Sequence, residues 1–161
     1  MLRKMLLIFG LLALASLPAR AQDKAELFGG FSYVRFHSSP AVNLNGWEIS
    51  GQYKFTDWLG GVGDFAGNYG SGASTYTYLF GPQISLPSRV SPFGHLLVGG
   101  AHFGAAGFGN SSFSLAIGGG LDVGITDRID WRAVQVDYLL TQFGGASQNN
   151  FRLSTGIVIR F

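Results

Sequence analysis

The last eleven residues alternate without a break. Phe151, Leu153, Thr155, Ile157, Ile159 and Phe161 fall on one side, and Arg152, Ser154, Gly156, Val158 and Arg160 on the other. A period of two belongs to an extended strand, whose successive side chains point to opposite faces. Three further segments repeat it. Trp47, Ile49, Tyr53 and Phe55 alternate with Glu48, Ser50, Gln52 and Lys54. Tyr76, Tyr78, Phe80, Ile84 and Leu86 oppose Thr75, Thr77, Gln83 and Ser85. Phe113, Leu115, Ile117, Leu121, Val123 and Ile125 oppose Ser114, Ala116, Gly118, Gly120, Asp122 and Gly124. These are strands two, four, six and eight of a predicted set of eight. The odd-numbered strands, about 25–36, 59–68, 93–103 and 129–140, are less regular. In the fifth, Leu96 and Val98 favour one face and Phe93 and Leu97 the other. The seventh changes phase near Arg132, as a β-bulge would make it do.

Composition narrows what such strands can build. Charged residues are 12% of the chain, about half the ~25% of a soluble domain. Aromatics at 14% argue against disorder. With no cysteine there is no disulfide framework and no thiolate metal cage. The one long apolar run is N-terminal, which argues against a helical membrane protein, and the spread of apolar residues fits a transmembrane β-barrel. A soluble barrel of the lipocalin kind also alternates. Three features favour lipid outside: long apolar faces, opposite faces that carry both signs of charge, and aromatic clusters at strand ends. The clusters are Phe55, Trp58, Trp131 and Phe161 at one end, and Phe36, Trp47, Tyr69, Tyr76 and Phe151 at the other. Such belts mark the two interfaces of outer-membrane barrels.

Residues 1–21 are expected to be a cleavable signal peptide and 22–161 the barrel domain. Arg3 and Lys4 precede an apolar stretch from Met5 to Leu17, and Pro18 leads into the small-x-small sequence Ala19-Arg20-Ala21. The apolar core is short of the ~20 residues that a helical span needs. Cleavage removes three of eleven basic residues and leaves eight against nine acidic ones. The basic balance of the whole chain is therefore no sign of nucleic-acid binding.

Phe55-Thr56-Asp57-Trp58 and Ile125-Thr126-Asp127-Arg128 are near copies of one tight turn, and Pro87 to Pro92 makes a third. The other four connections, 37–44, 69–74, 104–112 and 141–149, are rich in Ser, Asn and Gly and are expected to be loops of six to nine residues. Short turns at one end and longer loops at the other fit an outer-membrane barrel with both termini in the periplasm.

Glu26-Leu27-Phe28-Gly29-Gly30-Phe31-Ser32-Tyr33, Val136-Asp137-Tyr138 and the closing strand ending in Phe161 resemble the small outer-membrane barrels of the OmpA and OmpX type. The resemblance spans the whole mature chain. It implies an all-β, eight-stranded, antiparallel up-and-down transmembrane barrel in the bacterial outer membrane. It also implies that Phe161 is the signal read by the barrel-assembly machinery. Because the chain stops at Phe161, the cell-wall-binding domain of full-length OmpA-type proteins is not expected.

With polar faces inward, the lumen should hold Glu48, Lys54, Asp64, Asp122, Asp137, Arg152 and Arg160. Eight strands enclose a space just wide enough for side chains to fill. Charges there must be paired or they cost several kcal/mol each. They form either a polar plug or a proton or ion path. His95 and His102, seven apart, fall on opposite faces, and no histidine pair has zinc spacing. His37, Ser38, Ser39 and Ser71 could lie on the outer rim, as the Ser and His of lipid A-modifying barrels do, but no third residue orients His37. Gly118-Gly119-Gly120 opens no phosphate loop, because no Gly-Lys-Ser/Thr follows. The expected protein is thus a monomer with no cofactor, in contact with outer-membrane lipids and lipopolysaccharide. Its role is structural or surface-interactive, with a narrow pore or a lipid A-modifying enzyme as alternatives.

Overall fold

A computed structural model describes residues 24–37, 41–143 and 146–161. The signal segment, Ser38 and Ser39 lie outside the described residues. Eight strands follow one another: β1 (Ala25–Phe36), β2 (Val42–Lys54), β3 (Leu59–Gly70), β4 (Ala73–Ser85), β5 (Val90–Ala105), β6 (Phe108–Gly124), β7 (Ile129–Phe143) and β8 (Ala146–Arg160). Each pairs antiparallel with the next, and β8 returns to pair with β1, so the sheet is a closed barrel. The closing seam runs from Glu26 opposite Arg160 to Phe36 opposite Asn150, and the Phe161 N–H donates to the Ala25 carbonyl at 2.8 Å. Closure removes the unpaired strand edges that a bilayer could not satisfy.

Alternation sorts the side chains into two environments. Gln52 is 7% exposed while its neighbour Tyr53 is 52% exposed. Glu48, Ser50 and Gln52 are buried and Trp47, Ile49 and Tyr53 face outward. The outer surface is therefore apolar and the polar side chains are the enclosed ones, the inverse of a soluble barrel. Strand five resolves the same way: Phe93, His95 and Leu97 point in, and Leu96 and Val98 point out. Phe36, assigned from the sequence to the outer aromatic belt, instead points inward and is buried. It lies on the inward row of Ser32 and Val34, two residues apart along β1.

Below, the end of the barrel that carries Lys24 and Phe161 is the terminal end, and the opposite one the distal end. The two sequence-matched turns at the terminal end are structurally alike. Phe55 and Thr56 donate to the Leu59 carbonyl at 2.9 and 3.1 Å, and Ile125 and Thr126 donate to that of Ile129 at 3.0 and 2.9 Å. In each, the Thr hydroxyl accepts a bond from the backbone N–H three residues on. The distal connections correct the loop expectation. β3 and β4 are joined through Ser71 and Gly72 alone, and β5 and β6 through Ala106 and Gly107 alone. Both residues of each pair have positive φ: 52° and 74°, then 49° and 83°. Two-residue turns of this kind match the natural twist of a hairpin. The segments 69–74 and 104–112 are thus mostly paired strand. Away from the apolar slab neither face needs hydrophobic residues, so small polar residues there do not mark a loop.

In β7 the register shifts between Arg132 and Gln135, opposite Thr155 of β8, as a bulge requires. The Thr155 hydroxyl donates to the Arg132 carbonyl at 2.9 Å.

Candidate functional site

The enclosed lumen is the candidate site, and its side chains stack in layers. At the terminal mouth Lys54 Nζ donates to Glu26 Oε1 at 2.5 Å. Arg160 lies 3.4 Å from the same carboxylate and pairs with Asp130. Lys54, Asp130 and Arg160 border a vestibule of about 1410 Å³ that is also lined by Lys24, Asp57, Arg89 and Asp127.

Further in along β7 lies Arg132. Its guanidinium grips Asp122 with two bonds, Nε to Oδ1 at 2.8 Å and Nη2 to Oδ2 at 2.9 Å. Nη1 donates to Gln135 at 2.8 Å. The flat cation also lies against the ring of Phe28 at 4.4 Å and that of Phe93 at 4.2 Å. Such stacking is worth up to about 2 kcal/mol when desolvated. Phe28, Arg132 and Phe93 are all buried.

Above this layer sits a hub around Arg152. Its Nη1 donates to Asp64 at 2.8 Å, and its Nε and Nη2 donate to Asp137 Oδ2 at 2.8 and 2.7 Å. Glu48 lies 3.5 Å from Nε. Gln135 Nε2 bridges Glu48 and Asp137 at 2.8 Å each, and the Ser154 hydroxyl donates to Glu48 at 2.5 Å. His95 Nε2 lies 2.7 Å from the second oxygen of Asp137, and its Nδ1 faces Gln83 at 3.3 Å. The hub ties β2, β3, β5, β7 and β8 together. Gly118 makes room for it, because a Cβ there would fall 2.0 Å from Asp137 Oδ1. Of the three consecutive glycines, Gly118 is thus explained by the carboxylate beside it, whereas Gly119 and Gly120 face the Phe93 and Val134 carbonyls.

Toward the distal end the charges stop, and an apolar cluster packs among uncharged polar side chains such as Ser32, Asn68 and Asn150. Val34, Phe36, Leu44, Leu79, Leu97, Ala116 and Leu139 belong to one buried cluster with Val62. The sequence hides this cluster because Leu79 and Leu97 sit inside consecutive apolar runs, Tyr78-Leu79-Phe80 and Leu96-Leu97-Val98, that serve both faces at once.

All seven residues assigned to the lumen from the sequence line it. Glu48, Asp64, Asp137 and Arg152 meet in the hub, Asp122 joins Arg132, and Lys54 and Arg160 stand at the mouth. Sequence reasoning missed Glu26, His95, Asp130 and Arg132, which lie on strands with irregular alternation. The phase change at Arg132 was the available signal. Among the described residues, six acidic side chains thus face the lumen. Among the described residues no group of three or more His, Cys, Asp or Glu is arranged to hold a metal ion.

On the outer face, His102 Nδ1 lies 2.9 Å from the Ser111 hydroxyl, both exposed near the tip of the β5–β6 hairpin. This pair was not among the candidates. His37 is exposed at the end of β1, and Ser71 is in the β3–β4 turn.

No protein-family model and no curated sequence matches the chain. Solved structures do. Neisserial surface protein A aligns with a TM-score of 0.69 at 16% identity, over 85% of this chain and 97% of that one. This chain has the fold of the small outer-membrane β-barrels. The Ail protein of Yersinia pestis aligns at 0.55 and 19% identity, over 86% and 99% of the two chains. The N-terminal barrel domain of Pseudomonas aeruginosa OprF aligns at 0.54 and 14%, over 87% and 98%. The eight-stranded outer-membrane barrel fold agrees with the apolar outer face, which meets lipid in such a protein.

Proposed function

We propose that this protein is a monomeric, non-conducting outer-membrane barrel with a structural or surface-interactive role. The observation that carries the reading is the filled cross-section: the Phe28–Arg132–Phe93 layer and the Arg152 hub lie one above the other across a narrow lumen. An ion entering the vestibule meets a guanidinium held by five polar or aromatic contacts. Purified barrel in planar bilayers should give no sustained single-channel currents. Large, stable openings would overturn this reading in favour of the pore.

The terminal end faces the periplasm and the distal end the cell surface. No Asp or Glu occurs in 27–47, 65–121 or 138–161, so each distal connection lies in an acid-free stretch. Arg35 is exposed near that rim. A rim without carboxylates does not repel the phosphates of lipopolysaccharide, and it supplies one guanidinium for them. Lipopolysaccharide should therefore raise the unfolding temperature more than phosphatidylcholine does, and Arg35→Ala should reduce the difference. Equal stabilisation by both lipids would remove this partner.

Phe161 acts as the assembly signal. Its outward ring extends the lipid-facing row of β8, and its N–H adds a bond to the closing seam. Deleting it should lower the amount of folded barrel in outer-membrane fractions far more than deleting Ala41, which lies outside the strands between β1 and β2. Equal damage would deprive the closing strand of its special role.

The His102–Ser111 contact favours one second reading, a lipid-modifying hydrolase with Ser111 as nucleophile. A nucleophile–base pair needs a group that orients the base. The stretch from Phe65 to Leu121 offers no carboxylate to do so. Mass spectrometry of lipid A from cells with and without the protein separates the two readings. Loss of an acyl chain that depends on Ser111 would establish the enzyme.

A further inference from the structure

A small cavity lies on the distal side of the Arg152 hub, between walls that contribute both polar and apolar groups. It is lined by Thr75 and Thr77 of β4, Asn150 and Arg152 of β8, and Phe36 and Leu139, among others. Three polar atoms there are buried and have no hydrogen-bond partner among the described residues: Thr75 Oγ1, Thr77 Oγ1 and Asn150 Oδ1. Their residues are 6%, 8% and 1% exposed. Leaving a buried polar atom unpaired costs about 1–3 kcal/mol, so three in one place call for a shared partner.

We propose that this cavity is a binding site for a single internal water, held by Thr75, Thr77 and Asn150. The room is right. The cavity measures about 10 Å³, and one water needs roughly 10–15 Å³ with 2–4 polar partners. The chemistry is right as well. Each hydroxyl can donate or accept, whereas the Asn150 oxygen only accepts. One water can therefore donate to Asn150 and to one threonine while accepting from the other. The neighbouring Arg152 guanidinium disfavours a cation, and the apolar Phe36 and Leu139 leave no place for a larger hydrated group. The water sits where the charged hub gives way to the apolar cluster, and it spans the barrel from β4 to β8. It couples opposite walls at a level where no direct polar contact does so among these three residues.

High-resolution crystal structures of the complete barrel test this directly. The wild type should have one discrete solvent peak within hydrogen-bond distance of Thr77 Oγ1 and Asn150 Oδ1. The Thr75→Val/Thr77→Val variant, which keeps side-chain shape but removes two of three partners, should lose that peak. If this variant does not fold, Asn150→Leu replaces it with the same expected loss. A wild-type structure in which the threonines bond directly to Asn150, with no solvent between them, would overturn the proposal. So would density for a larger molecule, or a peak that persists unchanged in the variants.

Discussion

The two ends of the lumen hold the same barrel together by different physics. Toward the terminal end, guanidinium and carboxylate groups are interlocked by directional bonds, and each partner exists only because the other does. Toward the distal end the charges give way to uncharged polar side chains and to leucine, valine, alanine and phenylalanine, which fill space without direction. The charged half specifies which strands meet at which level, since Arg152 reaches Asp64 and Asp137 in one register only. The apolar half tolerates small shifts but loses stability whenever volume is removed. A narrow barrel thus combines a register lock with an ordinary core.

Removing the centre of the lock should have the largest effect. Arg152→Leu leaves Asp64, Asp137 and Glu48 buried without their cation and is expected to cost about 3–5 kcal/mol. Unfolding by urea in lipid vesicles, followed by tryptophan fluorescence, measures this. A cost no greater than that of a core truncation would erase the distinction between the halves. The matching change in the apolar half, Leu79→Ala, should cost about 3 kcal/mol through lost burial and the cavity left behind. Its cost should be insensitive to salt.

How far this division could be read from the chain differs between its members. The alternation of β2, β4, β6 and β8 is regular, and it placed Glu48, Asp122 and Arg152 inside. Arg132 escaped because its strand counts one residue more than its partners do. His95 escaped because Leu96, Leu97 and Val98 form an unbroken apolar run with no visible phase. The distal hairpins escaped because paired backbone above the membrane carries no hydrophobic period. Alternation reports a boundary between two solvents, and it falls silent where both faces see the same one.

Two smaller effects sharpen the comparison. Gly118→Ala pushes a methyl group into the Asp137 carboxylate and the Val136 carbonyl, and is expected to cost about 1–3 kcal/mol as overpacking. Suppression of that cost in an Asp137→Ala background would show that the carboxylate is the obstacle. An unchanged cost would assign the strain to the backbone instead. Lys54→Met at the mouth should cost less than about 1 kcal/mol, because its pair is partly solvated and Arg160 still faces Glu26. High salt should abolish even that difference, whereas it should leave the cost of Arg152→Leu largely intact.

The bulge opposite Thr155 has one further consequence. It gives β7 two reading frames. Before the bulge, even-numbered residues such as Asp130 and Arg132 are enclosed; after it, odd-numbered ones such as Gln135 and Asp137 are. The same residues in a regular strand, with no bulge, would share a single frame. If the hub kept its frame, Asp130 and Arg132 would turn out into hydrocarbon, while Ile129 and Trp131 turned in. An arginine facing lipid costs about 2–4 kcal/mol at mid-depth, and its aromatic sandwich and aspartate would be lost with it. A single extra residue in one strand therefore acts as punctuation. It lets a segment that anchors the rim and a segment that builds the hub be spelled in one continuous stretch of chain.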